Sequence, residues 1–332
     1  MSRPTTPIGH GSISGRSRRH CSTTPPTASV MRSTSRMPSL KAPLTRRFFG
    51  CFYLSASYLS AEIISAEAME EVMPFVATGA SEVHYEIDGH GPGLTLVHGT
   101  GGDADKVFGH VVDHFAGHRT VVRPNLGGSG KTSDDGGPLT VELIAEQVTA
   151  AIRTATDGPV DLLGFSLGAA AAVGVAAEHP ELVRKLILVA GWAHTTGPRD
   201  HFYFQTWRNL LDVDREMFKR FSTLTGFGPA AVDRFGHAGL AASLADDWPP
   251  AGIARQLDLG LALDLRPLLP RIQAPTLVIG LGRDNMVPIE SSRDLHAAIA
   301  NSRLVEIADE GHMDWFADPT AVLRAVDEFL DR

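Results

Sequence analysis

Three residues of this 332-residue chain have the types needed for nucleophilic acyl transfer: Ser166, Asp284 and His312. A serine hydroxyl is a weak nucleophile and needs a positioned base to take its proton. An imidazole base in turn needs an acid to fix its tautomer and offset its charge. Ser166 stands at the centre of Gly164-Phe165-Ser166-Leu167-Gly168, entered by an apolar run from Val160 and left by the small residues Ala169 to Gly174. That is the strand, sharp turn and helix setting of a nucleophile elbow, whose flanking glycines let strand and helix pack closely. The turn presents the hydroxyl at a helix N-terminus, where free N–H groups can hold a developing negative charge. Asp284 follows one late strand-like run and His312 the next, in the serine, acid, histidine order such an elbow calls for. The expected oxyanion donors are the backbone N–H of Leu167 and one from the loop His98 to Gly102, with Thr100 preferred and Gly101 the alternative.

These residues need a frame that gathers strand ends at one edge. Glu82 to Ile87 alternates polar and apolar residues, and the turn formers Asp88 to Gly93 separate it from the apolar Leu94 to Val97. The pattern predicts a hairpin leading into a buried strand. A helix is expected over Asp105 to Phe115, a short strand over Thr120 to Val122, and a helix over Leu139 to Ala155, where Val141, Ile144, Val148 and Ile152 share one face. Further strands are expected at Val183 to Val189, Thr276 to Gly280 and Leu304 to Ile307, with helices at Glu290 to Ile299 and Pro319 to Leu330. Strands alternating with helices at this interval predict an α/β fold with a mainly parallel sheet covered on both faces. Ligands of such sheets bind at the carboxyl ends of the strands, where His98, Ser166 and Trp192 fall.

Between residues 193 and 269 the pattern turns helical and aromatic, and predicts an inserted helical cap dividing a core of 69–192 and 270–332. Its aromatics serve first for internal packing, with some left to line a site beneath. His98, Gly99, Trp192, His194 and Trp207 are the candidate substrate contacts. Neither glycine loop has the spacing of a phosphate-binding loop, and the serine chemistry calls for no cofactor and no metal.

Charge is unevenly spread. Residues 1 to 68 hold nine basic and two acidic residues, leaving 21 basic and 36 acidic in the rest, which argues against a nucleic acid or an anionic membrane as partner. Both cysteines, Cys21 and Cys51, also lie in the front segment, so thiol chemistry is excluded from the body. Residues 1 to 47 are rich in Ser, Thr, Pro and Arg without a hydrophobic period, which predicts disorder. Three readings of the whole front segment stay open. The start is over-extended and the protein begins at Met69 or Met73, giving a cytoplasmic enzyme. Alternatively, Thr45-Arg46-Arg47-Phe48-Phe49 opens a twin-arginine-type export signal cleaved near Ala68, or the segment is an organelle transit peptide.

From about residue 80 onward the chain resembles the α/β-hydrolase superfamily. The residues that carry the likeness are Leu96-Val97-His98-Gly99, the Gly164 to Gly168 elbow, Gly282-Arg283-Asp284 with Val287-Pro288, and Gly311-His312. The resemblance implies about eight strands with a helical cap after the sixth, in a layout similar to 3-oxoadipate enol-lactonases and cofactor-free haloperoxidase-like esterases. It implies a small-molecule ester or lactone as substrate. One motif departs from the pattern: many members carry Asp-x-Arg-Gly-x-Gly after the fourth strand, where Asn125, Gly127 and Gly128 stand in for Asp, Arg and Gly. A serine at position 166 also separates the chain from haloalkane dehalogenases and epoxide hydrolases, which use aspartate. Carbon–carbon bond hydrolysis, peracid formation, and a binding or rearrangement role on the same fold remain alternatives to ester or lactone hydrolysis.

Overall fold

Strands that are apolar along most of their length end up in the middle of the sheet, because both of their faces are covered. In the computed structural model, which describes residues 74–331, these are β3 (Gly93–Val97), β5 (Val160–Phe165), β6 (Val183–Val189) and β7 (Thr276–Leu281). With β1 (Phe75–Thr78), β2 (Ser81–Asp88), β4 (Thr120–Pro124) and β8 (Ser302–Ile307) they form one eight-stranded sheet of order β1-β2-β4-β3-β5-β6-β7-β8. The β1–β2 and β2–β4 pairs are antiparallel and the rest are parallel.

Successive residues of a strand face opposite sides, and the two cores follow that alternation. Leu162, Leu186 and Val278 pack on one face with Ile144 and Val148 of α3 (Val141–Ala155) and Val173 of α4 (Leu167–Glu178). Their neighbours Leu163, Ile187 and Ile279 pack on the other with Phe108 of α1 (Ala104–Phe108), Phe115 of α2 (Val112–Ala116) and Val326 of α10 (Thr320–Leu330). Helix α3 starts at Thr140, whose Oγ1 accepts the Leu143 N–H, and α4 is buried along nearly its whole length, as its run of alanines requires. Four helices intervene between β6 and β7: α5 (Pro198–Val213), α6 (Arg215–Gly226), α7 (Pro229–Ala245) and α8 (Ile253–Ala262). Helix α9 (Ile289–Ala298) joins β7 to β8. No helix among the described residues is long and apolar enough to cross a membrane.

Two expectations need correction. Strand β2 pairs with β1 and β4, not with β3, so the hairpin is β1–β2. The almost fully buried β3 takes parallel neighbours on both sides, and the half-buried, alternating β2 goes nearer the edge. The helix expected over Asp105 to Phe115 is broken into α1 and α2 around Gly109. The front segment, with its over-extended-start, export-signal and transit-peptide readings, lies outside the described residues.

Candidate active site

Ser166 joins β5 to α4 in a backbone conformation that a non-glycine residue seldom adopts, φ 55° and ψ −120°. The turn is held by Ser166 N–H donating to Val189 O at 2.9 Å and by Ala169 N–H donating to Ser166 O at 2.9 Å. Both elbow glycines are explained by close approach. A Cβ on Gly164 would stand 2.2 Å from Gly168 O, and one on Gly168 would stand 2.0 Å from Val97 O. Strand β5, helix α4 and the end of β3 therefore meet at backbone contact, which puts Ser166 beside the glycine loop that follows β3.

His312 Nε2 lies 3.0 Å from Ser166 Oγ, and His312 Nδ1 lies 2.6 Å from Asp284 Oδ2. All three residues are buried. The second carboxylate oxygen, Asp284 Oδ1, accepts from Met286 N–H at 2.8 Å and Val287 N–H at 2.7 Å, so the loop after β7 fixes the rotamer of the acid. The loop after β8 is fixed from two sides. Asp314 accepts from Gly311 N–H and, across to the helical insertion, from Gly228 N–H, while Met313 N–H donates to Gly226 O. The Phe165 ring packs on the His312 ring with centroids 4.9 Å apart. With Nδ1–H donating to the acid, Nε2 is left to accept the Ser166 hydroxyl proton, which is the arrangement a general base needs.

Beside Ser166, the loop Gly99 to Gly102 is held by the insertion on both faces of one residue. Gly101 N–H donates to Gln256 Oε1 at 2.7 Å, and Gly101 O accepts from Trp248 Nε1–H at 2.8 Å. That leaves the Thr100 N–H without an acceptor among the described residues, and the Leu167 N–H, at the first position of α4, has no intrahelical acceptor. His98 anchors the loop from below. Leu126 N–H donates to its Nε2 at 3.0 Å, so Nδ1 carries the proton and donates to Gly99 O at 2.8 Å. Full burial lowers the pKa of His98 and outweighs the opposing pull of the Gly99 carbonyl and of Asp103.

A cavity of about 250 Å³ opens over Ser166 and His312, with Phe165, Trp207, Phe227, Trp248, Met286 and Met313 on its walls. Of the residues expected to contact substrate, Gly99 and Trp207 line this cavity, as does Thr100. His98, Trp192 and His194 do not. His98 is turned into the protein, as described. Trp192 is buried with Nε1 bonded to Thr195 Oγ1 at 2.9 Å and its ring stacked on Phe204. His194 is partly exposed and bonds Thr196 Oγ1 through Nδ1 at 2.8 Å. Sequence reasoning passed over Phe165, Met286 and Met313, although each adjoins or nearly adjoins a member of the relay: Phe165 precedes Ser166, Met286 follows Asp284 by two, and Met313 follows His312. Gln256 carries no local signal at all.

A family model described as the alpha/beta hydrolase fold matches residues 92–231 and 249–319. The chain belongs to the α/β-hydrolase family. It is 39% identical over 258 residues to a pyrrolizixenacetamide deacetylase from Xenorhabdus hominickii, covering 77% of this chain and 97% of the relative. It is 31% identical over 270 residues to a pimeloyl-[acyl-carrier protein] methyl ester esterase from Xanthomonas oryzae, covering 75% and 98%. Among solved structures, the enol-lactonase from Burkholderia xenovorans superposes with a TM-score of 0.70 at 25% identity, covering 78% of this chain and all of the other.

This α/β-hydrolase builds the loop after β4 without the Asp and Arg found in many members, and buried amides hold the loop instead. Asn125 Oδ1 accepts from Ala104 N–H, and Asn125 Nδ2 donates to His84 Nδ1. Gly127 N–H donates to Gln147 Oε1, while Gln256 Nε2 donates to Gly127 O and to Ser129 Oγ. A charged clasp lies just outside: Arg255 pairs with both Asp134 oxygens at 2.8 and 2.9 Å, tying α8 to the same loop.

Proposed function

We propose that this protein is a serine hydrolase that cleaves a small, largely apolar carboxylic ester or lactone through an acyl-enzyme on Ser166. The observation that carries this reading is the unbroken relay from Ser166 Oγ through the His312 ring to Asp284, opening into an apolar cavity. His312 Nε2 takes the Ser166 proton as Oγ attacks the carbonyl carbon, and Asp284 steadies the imidazolium. The tetrahedral oxyanion is held by the N–H groups of Leu167 and Thr100; Gly101 N–H is already committed to Gln256. Collapse breaks the bond to the leaving oxygen, which takes the proton back from His312. Water then enters, gives a proton to the same nitrogen and attacks the acyl carbon; as the bond to Ser166 Oγ breaks, His312 returns that proton to Oγ and the carboxylic acid leaves. Helices α5 to α8 act as a cap that narrows access to the site.

The 39% identity to a deacetylase named for an acetamide favours a second reading, in which the bond cleaved is an amide and the group passed to Ser166 is acetyl. The chemistry on Ser166 is the same; only the leaving group changes, and an amine needs the proton from His312 before it can depart.

A fluorophosphonate probe should label the wild type and leave Ser166→Ala unlabelled, with the variant's turnover falling on the order of 10⁴- to 10⁶-fold. Absence of labelling in folded wild-type protein would defeat the enzyme reading. A panel of p-nitrophenyl esters, lactones and aryl acetamides then separates ester, lactone and amide hydrolysis.

A further inference from the structure

The cavity over Ser166 is lined by the insertion as well as by the sheet-end loops. It shares Thr223 and Ser243 with a second groove of about 110 Å³ between α6 and α7, walled by Leu224, Val232, Leu240 and Leu244 with Arg220 also on its lining. Both shared residues turn their hydroxyls back on their own helices: Thr223 Oγ1 donates to Lys219 O and Ser243 Oγ to Leu240 O, each at 2.9 Å. What they offer to the passage is methyl and methylene surface. Leu224 is 63% exposed on this wall. An apolar surface left open beside an apolar site is a place for a ligand to cover.

The α7 side of the wall is anchored at one end. Helix α7 breaks at Gly236, with φ 59° and ψ 175°, and the turns beyond it carry Leu240, Ser243 and Leu244. Their far end is anchored by the buried Lys219, whose Nζ donates to Leu244 O at 2.9 Å and to Asp246 Oδ1 at 3.0 Å. The family model matches up to residue 231 and resumes at 249, so Val232, Leu240, Ser243 and Leu244 lie outside the matched stretches, while Thr223 and Leu224 lie within them.

We infer that the groove is a substrate subsite that takes a linear apolar arm of the ester, running from Ser166 past Thr223 and Ser243 and out between α6 and α7. The inference rests on the reading of Ser166 as the acyl-transfer nucleophile. Arg220, the one charged group on the groove's wall, is paired with Glu216 Oε1, so a charged arm would be stripped of water among three leucines and Val232 with no uncommitted charge to meet it, and the arm is hydrocarbon. The cavity alone falls short of the ~300–1,000 Å³ usual for a small-molecule cleft, and the groove supplies the additional length.

Two ester series test it on the full-length protein: p-nitrophenyl esters from acetate to decanoate, and acetates of straight-chain alcohols of rising length. Each methylene that enters the groove should raise kcat/KM about threefold to fourfold, and the series that rises tells whether the acyl or the alcohol chain lies there. Ser243→Trp, which narrows the passage, and Leu240→Asp, which charges the wall, should each flatten that rise; both positions are at least partly exposed, and circular dichroism checks their folding. No rise in either series, or an equal rise in wild type and both variants, would overturn the subsite. Fluorophosphonate labelling of the wild type tests the nucleophile separately: a labelled enzyme with flat profiles loses only the subsite.

Discussion

Gln256 reaches from helix α8 to the glycine loop beside Ser166 and accepts the Gly101 N–H at 2.7 Å, while its own N–H groups hold Gly127 O and Ser129 Oγ. One fully buried amide thus joins the loops after β3 and β4 to the insertion, with each of these contacts in hydrogen-bonding distance. Fixing Gly101 also fixes the peptide plane next to it, and so the direction of the Thr100 N–H. A donor aimed at the transition-state oxyanion contributes far more than one that is 1 Å astray. Gln256→Met keeps the length and volume but loses all three bonds. It should lower kcat about 10- to 100-fold with KM nearly unchanged. Affinity for a boronic acid that mimics the tetrahedral state should fall in parallel with kcat. Equal losses in kcat and in substrate binding would show that Gln256 is only a packing residue.

Asp284 offers a sharper test of the relay. Its Oδ1 receives two N–H groups, from Met286 and Val287, and its Oδ2 faces His312 Nδ1. In Asp284→Asn the side-chain oxygen must stay with the two N–H groups, so the new NH₂ faces His312. The imidazole then accepts at Nδ1 and carries its proton on Nε2, where it cannot take one from Ser166. The expected result is a folded protein with kcat lower by about 10⁴, read by steady-state kinetics. A loss of less than tenfold would mean that Asp284 does not set the tautomer.

His98 gives the molecule a pH dependence of stability. Burial depresses its folded-state pKa below the ordinary 6.5, and protonation would require giving up the Leu126 N–H that Nε2 accepts. The unfolded chain binds this proton more readily than the folded one, so stability is fully present above pH 6.5 and declines as the pH falls from there toward the folded pKa. Buried His84 and the more exposed His110 are depressed in the same direction by desolvation, so the comparison must be with a variant. His98→Asn should be less stable at pH 7.5 and should lose a smaller further amount between pH 7.5 and 5.5 than wild type does. Urea unfolding at the two pH values measures both, and parallel losses would remove His98 from the account.

Much of the frame is legible in the residues. The continuous apolar runs of β5, β6 and β7 can satisfy both faces only inside a parallel sheet, and Ser166, Asp284 and His312 declare themselves by falling just past strand ends. What the chain does not display is side-chain direction. His98 sits one residue before the loop that borders the cavity, yet its ring turns inward because an unpaired Leu126 N–H needs an acceptor. Trp192 follows a strand end but spends its N–H on Thr195. Gln256 is the opposite case: within Arg255-Gln256-Leu257 it reads as one more polar residue on a helix, and only the meeting of two distant loops at that helix gives it a use. The break between α1 and α2 is hidden for a similar reason, since the apolar spacing runs on across Gly109 while the backbone does not.

The elbow glycines lead to a prediction that separates strain from packing. Ser166 already holds a positive φ, and that cost is local to one residue. Gly164 and Gly168 have ordinary φ values, so an alanine at either position is opposed only by what its Cβ would strike. At Gly164 the obstacle is Gly168 O at 2.2 Å, and at Gly168 it is Val97 O at 2.0 Å; both are main-chain atoms with no side chain to swing aside. Relief requires moving α4 away from β5 and β3, and that movement carries Ser166 and the Leu167 N–H away from His312 and Thr100 together. Each alanine variant should therefore lose about 3 kcal/mol or more of stability, together with most of its fluorophosphonate labelling. Gly158→Ala, where a Cβ meets nothing within 4 Å, serves as the control and should match wild type in both measurements. A stable, fully labelled Gly168→Ala would show that the elbow tolerates a wider spacing between strand and helix than these contacts imply.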